Sequence, residues 1–184
     1  MTNLIIGNCI SLVAAFFTFA SCYSHRKERI YFYQVGQCLI LSVANLFFGS
    51  YAGIITLALC ALRNYLLGIN KFGKISCITI ASLMLIFGAM INNNKAVGWI
   101  VIAANVIYTV WGYFARKELS IKLNIIVDLT LWIIYEILIL DIPSLIADII
   151  GVVIAAASVI RLLRQRNTES NSELPVHHIP DGQI

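Results

Sequence analysis

Four charged side chains lie three or more residues inside long apolar runs of the chain, where a charge is costly: Arg63, Asp128, Glu136 and Asp148. On insertion scales such a group costs ~2.5–3.5 kcal/mol at the centre of a membrane helix, so each is expected to face a protein interior. Arg63 and Asp128 lie at similar depths from their run ends, which predicts an intramembrane ion pair between them. The alternative is that Arg63 extends its long stem along the apolar surface to the lipid headgroups.

Glu136 and Asp148 have the spacing that best suits proton or cation chemistry. Each lies about four residues from the end of its apolar run, and the two runs are consecutive and joined by a short turn. Two carboxyl groups that face each other in a low-dielectric site cannot both ionise cheaply, so one would hold a proton or share a cation. The alternative is that both side chains reach the membrane interface and stay hydrated.

A polar face on the same run as Asp128 predicts a cavity. Asp128, Trp132 and Glu136 recur at i, i+4 and i+8, a spacing that places them on one side of a helix. The mid-run indole of Trp132 needs a hydrogen-bond partner. The predicted cavity is lined by Asn45, Asn105, Trp132, Tyr135, Glu136 and Asp148. The alternative is that these polar groups only form hydrogen bonds between helices.

Enzyme chemistry finds no support in the sequence. All three histidines lie outside the apolar runs, and no HExxH, GxSxG or phosphate-loop motif occurs. The adjacent His177 and His178 have no carboxylate or cysteine partners, so they predict no metal site. The five cysteines form no CxxC pair and fall in or at the end of apolar runs, as small packing residues do. We therefore expect no catalytic residue, no cofactor and no bound metal.

Seven apolar runs position these residues, and each is long enough to cross a membrane. The chain has 184 residues, of which 60% are apolar and only 12% are charged, with a mean hydropathy of +0.86. A soluble domain has no need of such a composition. At about 1.5 Å per residue, a helix formed by such a run spans a hydrocarbon core of ~30 Å. The runs cover residues 4–22, 30–49, 51–69, 75–91, 96–114, 121–140 and 145–163.

Basic residues fall on alternate connections between the runs. Of the 13 Lys and Arg residues, all except Lys95 lie in or near the first, third and fifth connections or the C-terminal tail. Short basic loops stay on the cytoplasmic side of a bacterial membrane. This pattern predicts an inner-membrane protein with its N-terminus outside and its C-terminus in the cytoplasm. The net charge of +4 then reflects cytoplasmic flanks that meet anionic headgroups, and not a nucleic-acid partner.

A faint internal repeat divides the chain into two similar parts. Arg26-Lys27-Glu28 in the first basic connection has a counterpart, Arg116-Lys117-Glu118, in the fifth. Each tripeptide precedes two apolar runs joined by a tight turn. The predicted fold is all-α, with seven transmembrane helices arranged as two parallel three-helix bundles and a linker helix. The predicted units are a first bundle at 1–74, a linker helix at 75–95, a second bundle at 96–166 and a disordered cytoplasmic tail at 167–184.

Several short motifs are similar to those of a known bacterial family. They are Arg26-Lys27-Glu28-Arg29, Asn45-Leu46-Phe47-Phe48-Gly49-Ser50-Tyr51-Ala52-Gly53, Leu62-Arg63-Asn64, Trp132-Ile133-Ile134-Tyr135, Asp148 and Ile160-Arg161. On these residues the chain resembles the YgjV-type inner-membrane family over roughly residues 5 to 166, which implies a location and a fold but no substrate. The plan also resembles the seven-helix PQ-loop or SWEET-type sugar transporters, although the chain has no Pro-Gln pair and no proline inside a run.

Two functions of different classes follow from the sequence. The first is a permease or facilitator for a small polar solute, with a proton or another cation as a further candidate for the site. The second is a membrane scaffold or accessory subunit that transports nothing. The predicted partners are the lipid bilayer and, for the permease, its solute. The sequence leaves open whether the chain forms a homo-oligomer.

Overall fold

The computed structural model describes residues 1–24, 26–115 and 118–172, and in these ranges the chain folds into seven α-helices. Apart from the end of the last helix, every helix begins and ends within three residues of its predicted run. The helices are α1 (Thr2–Tyr23), α2 (Lys27–Phe48), α3 (Tyr51–Gly68), α4 (Lys74–Ile91), α5 (Lys95–Phe114), α6 (Glu118–Ile139) and α7 (Ile142–Ser172). The prediction of an all-α fold with seven helices is confirmed.

Of the helices in the described ranges, six are long and apolar enough to cross a membrane. The exception is α6, which at 22 residues is as long as α1 and α2. It falls outside the set because it carries the charged residues Lys122, Asp128 and Glu136. α6 packs between α5 and α7, an arrangement that allows its charged face to turn toward protein and away from lipid.

Six helices form a closed ring, and the seventh lies outside it. Around the ring, α1 packs against α2, α2 against α3, α3 against α5, α5 against α6, α6 against α7, and α7 against α1. α4 packs against α3 and α5 and buries one stripe, formed by Cys77, Ile80, Ala81, Met84 and Gly88. That spacing is typical of a single helical face. α4 therefore connects the two halves of the ring, α1–α3 and α5–α7, from the outside.

The last helix is longer than the sequence predicted. α7 continues to Ser172, so residues 167–172 are helical where we predicted a disordered tail. The reason is that no proline or glycine occurs between residues 152 and 174 to end the helix. The rest of the predicted tail, with the His177–His178 pair, lies outside the described residues, as do His25, Arg116 and Lys117.

Short connections between consecutive helices give the ring two distinct ends. The turns that join α2 to α3, α4 to α5 and α6 to α7 lie at the end where α1 begins, which we call the N-terminal face. The remaining connections and the end of α7 lie at the opposite end. That end carries most of the basic residues of the chain, and we call it the basic face.

Two turns at the N-terminal face are built in the same way. Gly49, between α2 and α3, and Leu140, between α6 and α7, both have a left-handed backbone, with φ of 70° and 61°. The next residues, Ser50 and Asp141, each accept a side-chain hydrogen bond from the backbone N–H three residues later. Each also donates its backbone N–H to the carbonyl five residues earlier. These bonds cap the first turns of α3 and α7.

An asparagine from the opposite half of the ring holds each of these turns. Asn93, just before α5, donates to the Gly49 carbonyl (2.6 Å) and accepts from the Tyr51 N–H (3.1 Å). Asn8, on α1, donates to the Leu140 carbonyl and accepts from the Ile142 N–H, and each of these bonds is 3.0 Å long. We call these contacts the asparagine clamps. They join the two halves of the ring in both directions at the N-terminal face.

Replacing Asn93 tests the clamps. Asn93→Ala leaves a carbonyl and an N–H of the α2–α3 turn without their partner, and we expect it to lower the free energy of unfolding by about 1 kcal/mol. The measurement is thermal unfolding of the purified protein in detergent. Asn94→Ala in the same turn is the matched control, because the Asn94 side chain makes no capping hydrogen bond. An equal loss of stability in Asn93→Ala and Asn94→Ala would contradict a stabilising role of this clamp.

Asp141 also links the α6–α7 turn to α1. The Ser11 hydroxyl donates to its carboxylate (2.7 Å), and both residues are at most 2% exposed. Burial raises the pKa of Asp141, and hydrogen bonds from Ser11 and Ser144 partly offset that rise. Because the folded-state pKa lies above that of the unfolded chain, the contribution of Asp141 to stability is greatest at low pH. It is lost as the pH rises through the folded-state pKa.

Asp141→Asn is expected to remove this part of the pH dependence. The amide keeps an oxygen for the capping bond and carries no charge to bury, so the variant should be at least as stable as the native chain near neutral pH. Asp141→Ala loses both side-chain hydrogen bonds and should cost about 1–2 kcal/mol. The measurement is the unfolding free energy of both variants in detergent at about pH 5 and about pH 8. An equal loss of unfolding free energy in Asp141→Asn and Asp141→Ala would show that the fold requires the charge of Asp141.

Candidate functional site: a polar cavity inside the helix ring

The ring encloses a cavity of about 230 Å³, and all six of its helices contribute to the wall. The lining extends from Ser144, in the first turn of α7 at the N-terminal face, to Gln34 and Lys122, near the basic face. At ~30 Å³ per water molecule, the cavity has room for about eight waters. It is smaller than the sites that hold drug-sized ligands. Only a small solute fits.

The structure brings most of the predicted site residues to this cavity. Its wall contains Arg63, Asn105, Asp128, Trp132, Glu136 and Asp148. The other two, Asn45 and Tyr135, are not among the lining residues and lie toward the N-terminal face, with exposed fractions of 2% and 0%. A hydrogen bond joins their side chains.

Glu136 on α6 and Asp148 on α7 lie on helices that pack against each other, and both side chains line the cavity. Their exposed fractions are 3% and 7%. Two carboxyl groups buried in one low-dielectric cavity cannot both ionise cheaply, so one of them is expected to hold a proton or share a cation. The Oε2 atom of Glu136 is buried and accepts no hydrogen bond within the described residues. We call Glu136 and Asp148 the carboxyl pair.

Asp128 lies two helical turns before Glu136 on the same face of α6. Its Oδ1 is buried without a donor among the described side chains, and it interacts electrostatically with Arg63. The predicted ion pair is not a direct contact, because Arg63 uses its donors elsewhere. Its Nε and Nη2 donate to Asn64 Oδ1 (3.2 and 3.1 Å), and its Nη1 donates to the Thr109 hydroxyl (3.1 Å). The two opposite charges attract each other within the cavity wall without touching.

Arg63 is held inside the ring and does not extend to the lipid headgroups. Its exposed fraction is 5%, and the guanidinium carbon lies 4.5 Å from the centre of the Tyr108 ring, which makes a cation–π contact. With the bonds to Asn64 and Thr109, every nitrogen of the guanidinium has a partner. Arg63 is therefore a fixed positive charge in the cavity wall.

A group of buried hydrogen bonds lies toward the N-terminal face, beside the cavity. The Tyr135 phenol donates to Asn45 Oδ1, and its oxygen lies 2.6 Å from the Ser50 hydroxyl. Each of these three residues is at most 2% exposed. Gly53 is required beside them, because a Cβ atom there would lie 2.8 Å from the phenol oxygen. We call Asn45, Ser50 and Tyr135 the phenol cluster.

The phenol cluster unites two motifs that are distant in sequence, since Asn45, Ser50 and Gly53 come from one and Tyr135 from the other. The family Imp-YgjV, described as bacterial inner membrane protein, matches residues 5–166. The chain belongs to this family. No curated protein and no solved structure matches the chain. Membership in the Imp-YgjV family establishes the bacterial inner membrane as its setting and confirms the resemblance that the motifs indicated.

Sequence reasoning missed several cavity residues of this Imp-YgjV protein: Cys38, Cys60, Asn64 and Tyr108. The Cys60 thiol donates to Asn105 Oδ1 (2.6 Å), and the Asn64 amide donates to the Cys38 sulfur (3.6 Å). A cysteine in an apolar run looks the same whether it faces lipid, a neighbouring helix or a cavity. The signal that could have found Asn64 is its place next to Arg63 in the Leu62-Arg63-Asn64 motif.

Tyr135→Phe tests the phenol cluster. The variant leaves Asn45 Oδ1 and the Ser50 hydroxyl buried without their shared partner, and we expect it to cost roughly 1–3 kcal/mol of unfolding free energy. Tyr65→Phe is the matched control, because Tyr65 is 55% exposed and its phenol should matter little. Thermal unfolding of both variants in detergent is the measurement. The same melting temperature in Tyr135→Phe and Tyr65→Phe would show that the phenol cluster does not stabilise the fold.

Proposed function

We propose that the protein is a permease or facilitator that carries a small polar solute across the bacterial inner membrane. The observation that carries this proposal is the cavity, whose wall takes polar side chains from every helix of the ring and follows the ring almost from face to face. Asp128 and Glu136 each leave a buried carboxyl oxygen without a partner in the described part of this wall. Such groups are expensive in a membrane and commonly mark solute or ion paths.

We infer that the cavity is open toward the basic face and closed toward the N-terminal face. The phenol cluster and the asparagine clamps support closure at one end, and the partly exposed lining residues Gln34 and Lys122 support access at the other. Basic segments stay in the cytoplasm. The N-terminus would then face the periplasm, and the solute would enter this state from the cytoplasm.

We also infer that α1–α3 and α5–α7 form an internal repeat. What supports it is the pair of matching turns at Ser50 and Asp141, which lie 91 residues apart and share their caps, their left-handed residues and their clamps. Because one helix separates the halves, both run through the membrane in the same direction, as in a parallel repeat. Transporters built from repeats place the solute site between them.

The second candidate is a scaffold or accessory subunit. The phenol cluster and the hydrogen bonds of Arg63 favour it, because they join helices and need no solute. In that case the cavity would admit nothing from either face.

The native cysteines separate the two candidates. Cys38 and Cys60 line the cavity, whereas Cys77, which is also buried, packs α4 against the outside of the ring. Variants that keep one cysteine are treated, in membrane vesicles of either orientation, with a small thiol reagent that cannot cross membranes. For a permease in this state, Cys38 or Cys60 reacts when the reagent is at the cytoplasmic face and not when it is at the periplasmic face. Cys77 reacts from neither face.

Protection of Cys38 and Cys60 as complete as that of Cys77 would contradict the permease and support the scaffold. Two further variants in a cysteine-free background check the orientation: Lys71→Cys at the basic face and Asn94→Cys at the N-terminal face. Reaction of Lys71→Cys from the periplasm would contradict the orientation that we propose.

A further inference from the structure

The charges around the carboxyl pair do not balance. Arg63 is the cation that acts on Asp128. The charged neighbours that act on Glu136 and Asp148 within the described chain are all carboxyl groups: each other, Asp128 and Asp141. Acidic groups gathered in a low-dielectric site hold a proton or a bound cation. A proton or a bound cation would offset one negative charge of the carboxyl pair.

A second observation points to a ligand beside the pair. Glu136 is 3% exposed, and its Oε2 lies in the cavity wall with no donor among the side chains that the structure describes. Trp132, one helical turn earlier on α6, borders the same cavity and is 9% exposed. Carboxylates and aromatic faces together attract ammonium groups, through charge-assisted hydrogen bonds and cation–π contacts.

An organic cation suits this site better than a metal ion. Within the described residues, no group of three or more His, Cys, Asp or Glu side chains is arranged to hold a metal. A metal ion that has lost its water needs more oxygen ligands than the carboxyl pair offers. An ammonium group needs only a few acceptors and leaves its carbon atoms free to contact the indole. The cavity of about 230 Å³ limits such a cation to a few carbon atoms.

We propose that the solute is a small organic cation, which binds at the carboxyl pair against Trp132 in exchange for the proton that the pair shares. This inference rests on the proposed permease function and adds to it the substrate class and the coupled ion. The two ions cross the membrane in opposite directions.

The exchange conserves charge at the site. With its shared proton, the carboxyl pair carries one negative charge. When the cation binds, the proton leaves to the solution, so the pair carries two negative charges and the cation one positive charge. The net charge is the same in both states. That equality matters because adding a net charge to a low-dielectric interior is costly.

Other groups near the pair are poor sources of the exchanged proton. The titratable and charged groups that face this cavity or its closed end are Cys38 from α2, Cys60 and Arg63 from α3, Tyr108 from α5, Lys122, Asp128 and Tyr135 from α6, and Asp141 from the turn. The α1 residues in the wall carry only methyl or hydroxyl groups: Ala14, Ala15, Thr18 and Ser21. Glu136 and Asp148 are buried acids on packed helices and line the same cavity, so the exchanged proton is assigned to them.

Isothermal titration calorimetry of the purified full chain in detergent tests this inference. The probes are methylammonium chloride and tetramethylammonium chloride, with potassium chloride and sodium propionate as the competing classes. We expect saturable binding of at least one organic cation and much weaker binding of potassium and propionate. Heats measured in two buffers of different ionisation enthalpy should give about one proton released per cation bound.

Glu136→Gln and Asp148→Asn each remove one member of the carboxyl pair. Each is expected to weaken binding of the organic cation roughly tenfold or more and to abolish proton release. Two variants are used, with gel filtration as the check on folding, so that one unstable variant does not decide the result. Glu28→Gln, an exposed carboxyl in the first turn of α2, is the matched control and should bind as the native chain does.

Four results would overturn the inference: no binding of either organic cation, equal binding of potassium, binding without proton release, or unchanged binding in both variants of the pair. Flux into vesicles separates its failure from that of the permease. Cation binding without any flux overturns the permease and leaves the cation site. Flux of a neutral or anionic solute, without cation binding, leaves the permease and overturns the cation site.

Discussion

The cost of holding a charge away from water is the constraint on which the rest of this structure depends. Helix α6 carries Asp128 and Glu136 between its ends and is stable in a membrane only if other helices cover that face. The closed ring supplies the cover, with α5 and α7 on either side and α1–α3 across the cavity. α4 has no charged residue after Lys74, so it can lie outside the ring, where lipid replaces protein.

Neutral groups, and not charges, make most of the side-chain contacts at the N-terminal face. A phenol, amides and hydroxyls make the contacts there, apart from the carboxylate of Asp141. Hydrogen bonds of this kind contribute only about 1 kcal/mol each. Arg63 and the three cavity carboxyls line the cavity wall, and Arg63 is held there by hydrogen bonds to Asn64 and Thr109. In the proposed permease, closure and solute recognition would therefore use different residues.

The sequence predicted the helices well because hydropathy and chain length alone decide where a helix can cross a membrane. Helical spacing also placed Asp128, Trp132 and Glu136 on one face. It could not show that Arg63 would bond to Asn64 and Thr109, because the partner on α5 is 46 residues away. The proposed repeat is a similar case. Aligning the two halves by their arginines places Arg63 opposite Arg161. Aligning them by the turns at Ser50 and Asp141 places Arg63 opposite Ile154.

The two matching turns differ in one respect, the residue with the left-handed backbone. Gly49 adopts it at little cost, whereas Leu140, at φ 61°, carries a penalty of ~1–2 kcal/mol for its Cβ. The α6–α7 turn therefore carries a backbone strain that the α2–α3 turn lacks, and its hydrogen bonds to Asn8 and Ser11 must offset that strain. This turn joins the helices that carry Asp128, Glu136 and Asp148. The strain therefore lies in the connection between the two helices of the acidic wall.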